Sequence, residues 1–164
     1  MPAVKVSNPR DLVVQLLGEL LFVERRLADG VIDEVRRSVA DEELQALLER
    51  HRDETKAHAE RVETAFRMLE VASTSNLSRP FESAVAQHDE LASSILDPRL
   101  ADVFHAQAAL HTEHWEMAAY RTLLPLVPDH VAQLLRPSFD EEGEAAKQLV
   151  RAIDRLAEES AHAR

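Results

Sequence analysis

One stretch of the chain carries acids where helical spacing asks for hydrocarbon: His111-Thr112-Glu113-His114-Trp115-Glu116-Met117-Ala118-Ala119-Tyr120. Val103, Ala106, Leu110, Glu113, Met117, Tyr120 and Leu124 recur at steps of three and four, so they share one helix face. Six of them suit a core, Tyr120 needing a partner for its hydroxyl, and the seventh is a carboxylate. A carboxylate taken out of water must be neutral, paired or bound to a cation. Three other rows repeat the anomaly. Glu24 completes the row Val13, Leu16, Leu20, Leu27, Val31, Val35. His51, Glu54 and His58 occupy the middle of Leu44, Leu47, Val62, Ala65, Leu69. Glu142 stands within Val131, Leu135, Phe139 (or Ser138), Ala146 (or Ala145), Leu149, Ile153, Leu156.

These rows need four long helices. Met1 to Asn8 reads as a loose arm, with Ser7 or Asn8 as cap and Pro9 in the first turn. Helix 1 is expected from about Pro9 to Val39, with Gly30 loosening it from within. Asp41 caps helix 2, which runs to about Leu69 or Glu70; Leu44 stands where a capping box would need an acid or amide, so the cap is a simple one. The Ser/Thr/Asn-rich stretch from Val71 to Arg79 reads as loop, and Pro80 starts a shorter helix to about Leu96. Asp97-Pro98 breaks it, and helix 3 follows to Leu124. Helix 4 is expected from about Pro128 to Glu158, kinked or interrupted at Pro137, with a frayed tail beyond. Two helix pairs joined by short links, with a long connection between them that carries its own helix, describe an all-α four-helix bundle with one long crossover.

Totals agree and exclude alternatives. The 164 residues suit a single domain spanning the chain. They are rich in Ala, Leu, Glu and Arg and poor in Gly, a helical composition. A net charge of −11 argues against a nucleic-acid partner and favours cations. No apolar run is long enough to span a membrane, and the N-terminus lacks the apolar centre of a signal peptide. Without cysteine there is no disulfide, zinc–thiolate site or thiol nucleophile, and a reducing cytoplasm fits. No phosphate-binding glycine loop or Gly-x-Ser-x-Gly elbow is present.

Heights sharpen the reading. Antiparallel helices joined by a short turn meet at equal distances from it. From a turn near Ala40, Glu24 lies 16 residues before and Glu54 lies 14 after. From a turn near Val127, Glu113 lies 14 before and Glu142 lies 15 after. At about 1.5 Å per residue each pair is level within roughly 3 Å. Four carboxylates, one per helix, are thus expected on core-facing rows. Packed together they repel strongly unless a cation joins them. Oxygen and imidazole donors on facing helices suit iron or manganese.

The Glu113-His114-Trp115-Glu116-Met117-Ala118-Ala119-Tyr120 run, Glu24 with Leu27, Glu54-Thr55 followed by Glu60-Arg61-Val62-Glu63, and Asp140-Glu141-Glu142 resemble the YciF-type ferritin-like stress proteins of bacteria, from about Asp11 to Leu156. The resemblance implies a ferritin-like bundle, a homodimer, a di-metal centre and a stress role. It supports Glu24, Glu54, Glu113 and Glu142 as ligand candidates. The full ferritin-like pattern wants histidine three residues after Glu54 and after Glu142, where this chain has Ala57 and Ala145. His58 comes one residue late and would need a helix bulge or a rotated ring; Glu116 could add a carboxylate. One metal, an asymmetric pair and an empty site remain as alternatives.

The expected function is therefore a di-iron, or alternatively di-manganese, carboxylate protein. Its metals would be held by Glu24, Glu54, His58, Glu113, Glu116 and Glu142, with oxidation of iron(II) or handling of oxygen or peroxide as the chemistry. The alternative is a metal-free dimeric scaffold or stress-interaction module in which the acids are protonated or paired with arginine. A hemerythrin-like oxygen carrier would need more inward histidines. Taken singly, His51 reads as a hydrogen-bonded core or surface residue, His111 and His114 as surface, Tyr120 as a packed residue with a bonded hydroxyl, and Trp115 as structural or at a subunit contact. His88, His105, His130 and His162 carry no site expectation.

Overall fold

The computed structural model describes residues 6–162, so the first residues of the expected arm and the last two of the tail lie outside it. Within that range the chain forms helices α1 (Pro9–Arg26), α2 (Ile32–Ser38), α3 (Glu42–Met68), α4 (Arg79–Ser94), α5 (Pro98–Leu123) and α6 (Asp129–His162). A π-helical turn, Leu27–Val31, joins α1 to α2 without a break. The sum is a ferritin-like four-helix bundle: α1–α2 and α3 make one hairpin, α5 and α6 the other, and the crossover between them carries α4. No helix among the described residues is long and apolar enough to cross a membrane.

Local chemistry sets the ends. Asn8 accepts from the Asp11 amide with Pro9 in the first turn, and Asp41 accepts from the Leu44 amide at 2.8 Å. Asp97 caps α5 through the Arg99 amide. The expected single helix from Pro9 to Val39 is continuous to Ser38, but the π turn around Gly30 inserts a wider ring. It shifts the buried face, so Ile32 is core while Val31 and Val35 are only half-buried. Pro137 does not interrupt α6, which stays helical to His162, past the expected end near Glu158.

Two apolar clusters sit at opposite ends of the bundle. One gathers Leu17, Leu21, Val62, Phe66, Leu123 and Leu135. The other gathers Val23, Leu27, Leu44, Leu48, Phe81 and Leu149. The polar rows lie between them. The end at the α2–α3 turn is pinned by Asp102 of α5, whose buried carboxylate accepts from the Ala40 and Asp41 amides, both at 2.9 Å. Arg155 of α6 donates to Asp41 at 2.7 Å. At mid-length of α1 the crossover chain lies directly on Gly18: the Asn76 amide donates to the Gly18 carbonyl at 2.8 Å. A Cβ at Gly18 would stand 2.3 Å from Asn76 Nδ2, so a larger residue there would have to push the Asn76 side chain aside.

Candidate metal centre

Six acid and imidazole side chains meet between the two clusters. Glu24 comes from α1, His51 and His58 from α3, Glu113 and Glu116 from α5, and Glu142 from α6; all six are buried. They form two groups whose donor atoms lie within 4.8 Å of one another: His51, Glu113, Glu116 and Glu142, and Glu24, His58 and Glu142. Glu142 belongs to both.

Contacts inside the centre are short and poorly satisfied. His51 Nε2 lies 3.1 Å from Glu113 Oε1. His58 Nδ1 lies 2.7 Å from Glu142 Oε1 and 3.5 Å from Glu24 Oε2. Despite these distances, eight buried atoms have no hydrogen-bond partner of acceptable geometry: Glu24 Oε2, His51 Nδ1, His58 Nδ1, Glu113 Oε2, both oxygens of Glu116 and both of Glu142. Buried polar atoms are otherwise almost always bonded. Donors that share one ion at about 2.1 Å also crowd to roughly 3 Å apart without pointing at each other, which is the pattern seen here.

The surroundings orient the donors. Tyr120 Oη donates to Glu24 Oε1 at 2.6 Å. His58 Nε2 lies 2.9 Å from Glu141 Oε2, which Arg61 Nη1 holds at 2.5 Å. Arg61 also donates to Ser138 Oγ. A proton on Nε2, given to Glu141, leaves the Nδ1 lone pair facing two carboxylates, the arrangement of a histidine ligand braced by an outer acid.

The charge balance points the same way. Four carboxylates outnumber two imidazoles, so negative charge remains even with both rings protonated. Burial pushes the Glu24 and Glu116 carboxyls up, Glu116 well up, and takes Glu113 to about 8. Burial also favours the neutral Glu142, but His58, Glu113 and His51 outweigh it and hold that carboxyl below its usual range. Burial disfavours charged imidazoles too, yet Glu113 lifts His51 well above its usual value, and Glu142 and Glu24 lift His58 to about 10. Metal-free, the centre must therefore hold extra protons; with cations, the same donors can ionise.

The expected residues divide clearly. Glu24, His58, Glu113, Glu116 and Glu142 come together. Glu54 does not: its side chain is 45% exposed, with Oε2 3.8 Å from His51 Nδ1 on the outer side, so its expected core position is corrected. The physical reason is phase. From His51 to His58 the steps 51–54–58 and 51–55–58 fit a helix equally well, but buried Leu48, Ala59 and Phe66 pull the centre of the face toward Thr55. Of the two ways offered for His58 to reach the centre, a helix bulge is absent, since α3 is α-helical throughout; the ring enters on that shifted face. The second imidazole in the centre is that of His51, also from α3. His51 is the hydrogen-bonded core residue expected, and its Nε2 contact with Glu113 brings it into the centre. Glu141, which carried no site expectation, braces His58 from the outer side. Tyr120 is the packed, hydroxyl-bonded residue expected, and His111 and His114 are exposed.

The chain is similar to Protein YciF of Escherichia coli, 25% identical over 140 residues that cover 80% of this chain and 82% of that protein. Among solved structures it resembles YcfI, described as a putative structural protein from Rhodopseudomonas palustris, with a TM-score of 0.86 and 22% identity over 91% of this chain and 97% of that one. The E. coli stress protein YciF superposes with a TM-score of 0.84 and 21% identity, covering 93% and 99%. A two-domain protein from Anabaena variabilis with DJ-1/ThiJ/PfpI-like and ferritin-like domains matches at a TM-score of 0.63 and 16% identity, over 93% of this chain and 38% of that protein. A bundle of this shape, with these relatives and a family model that matches residues 8–162, places the chain in the YciF-type ferritin-like family described as "Domain of unknown function (DUF892)".

Proposed function

We propose that this protein holds two transition-metal ions between its four long helices, iron by preference and manganese as the alternative. The observation that carries the reading is the set of eight buried donor atoms that lack a hydrogen bond of acceptable geometry, converging from α1, α3, α5 and α6. His51, Glu113 and Glu116 would serve one ion, Glu24 and His58 the other, and Glu142 both. Mixed carboxylate and imidazole donors suit iron or manganese better than a soft metal. A pair of iron ions bound there would supply one-electron redox chemistry toward oxygen or peroxide. The chain's own residues do the rest. Tyr120 fixes Glu24, Glu141 with Arg61 sets the His58 ring, and the apolar clusters on either side limit water. The E. coli relative is called a stress protein, which is consistent with an oxidant-handling role. A homodimer and a cytoplasmic setting belong to the same proposal.

The test is elemental analysis of protein grown with iron or manganese, beside the Glu142→Ala variant. The expected result is about two ions per chain in the wild type, one for each donor group, and loss of both in the variant. A folded wild type with no stoichiometric metal refutes the reading. That outcome supports a metal-free scaffold, in which the contacts of His58 with Glu142 and of His51 with Glu113 serve as buried ion pairs.

A further inference from the structure

An apolar pocket of about 290 Å³ lies between the π turn, α4 and α5, and its inner end reaches His51 and Glu113. Its walls are chiefly Leu27, Val31, Val85, Leu91, Phe104 and Ala108, with Trp115 at the rim. Two features of the fold bound it. On one side the wall is the wider π turn, whose Leu27 and Val31 line the space. On the other, Phe81 is the only buried side chain α4 contributes, so the crossover helix covers the space without filling it.

We infer that this pocket binds a small, uncharged, mostly apolar molecule and presents it to the His51–Glu113 side of the centre. Size limits the occupant: at about 30 Å³ per water-sized group the space takes roughly ten non-hydrogen atoms, and it stands at the lower edge of ligand cavities. Charge limits it too. A charged group would lose its water against a lining that is mostly hydrocarbon; His51, His88, His105 and His111 share that lining with the acid Glu113, and the chain's net −11 still disfavours an anion. Presentation to a metal rests on the metal-centre reading; binding in the pocket does not, and the two fail separately.

The probe is 1-octanol, titrated into metal-free and manganese-loaded protein, with emission of the single tryptophan, Trp115, as the reporter. The expected result is saturable one-site binding with a Kd on the order of 0.1–1 mM. Octanoate should bind metal-free protein about tenfold more weakly. Ala108→Phe, which fills the pocket, should weaken octanol about tenfold with metal content unchanged, and Val85→Ala, which enlarges it, should retain binding. Non-saturable emission changes, or equal affinity in a folded Ala108→Phe variant, overturn the proposal. So does octanol binding that falls as protein concentration rises, which would mark the pocket as the contact of a second copy. Octanol binding by protein that takes up no metal would uphold the pocket and sink the metal centre.

Discussion

Replacing Glu116 with leucine should move stability in opposite directions depending on metal. In metal-free protein both Glu116 oxygens are buried without a partner, and burial pushes its carboxyl well above the usual range. Removing an unsatisfied buried polar group of this kind is worth about 1–3 kcal/mol. At about 2–4 °C per kcal/mol for a chain of this size, Glu116→Leu should melt a few degrees higher than wild type, up to roughly 10 °C. Manganese(II) at about 100 times its Kd should stabilise the wild type by about 2.7 kcal/mol, or roughly 5–10 °C. If losing this donor weakens binding about 100-fold, the metal-dependent rise in the variant falls to about 1–2 °C. Scanning calorimetry with and without manganese reads both effects. A variant that melts below wild type when metal-free, yet keeps the full metal-dependent rise, would show Glu116 to be a structural partner and refute the argument.

Glu54→Ala should leave metal content unchanged and stability within about 0.5 kcal/mol, because that side chain is largely exposed; elemental analysis and urea melts check it. Metal-free stability should fall as pH rises, by two routes coupled through Glu142, which both groups face. Glu113, raised from the carboxylate range to about 8, binds more protons folded than unfolded, so its contribution is lost between about 4.5 and 8. His58, raised to about 10, stabilises fully below about 6.5 and loses this as pH climbs through 10. Metal affinity should strengthen over the same interval as the ligands deprotonate, so calorimetry from pH 5 to 9 should show a widening gap between the two forms. Asp102→Ala should cost about 1.5–3 kcal/mol per charged hydrogen bond lost at the α2–α3 turn, measured by urea unfolding with metal content unchanged.

Much of the fold could be read from periodicity, because long amphipathic helices repeat the same information many times. Asp41, Asp97 and Pro9 marked their helix starts for plain chemical reasons. The π turn was less legible: Gly30 signalled weakness in the helix, but only packing decides whether a weak turn widens, kinks or stays α-helical. In the centre, Glu24, Glu113 and Glu142 stood out as acids on otherwise apolar rows. Glu54 and Thr55 could not be separated by spacing from the flanking histidines alone. The apolar flank of Leu48, Ala59 and Phe66 held the answer, and a fit of the whole helix face would have found it. Glu141 was hidden for another reason: it acts across helices on a ring from α3, and no periodicity reports a contact between residues 83 apart in sequence.

The α2–α3 turn has a consequence for motion. Amides in a three-residue connection ordinarily exchange with solvent deuterium within moments. Those of Ala40 and Asp41 are donated to a carboxylate from the opposite hairpin, and Arg155 clamps the Asp41 side chain from a third helix. To release either proton the buried Asp102 carboxylate must swing away or that end of the bundle must loosen, so both sites should exchange more slowly than an open turn. A connection that looks like the loosest joint in the chain would then report on the loosening of that end of the bundle.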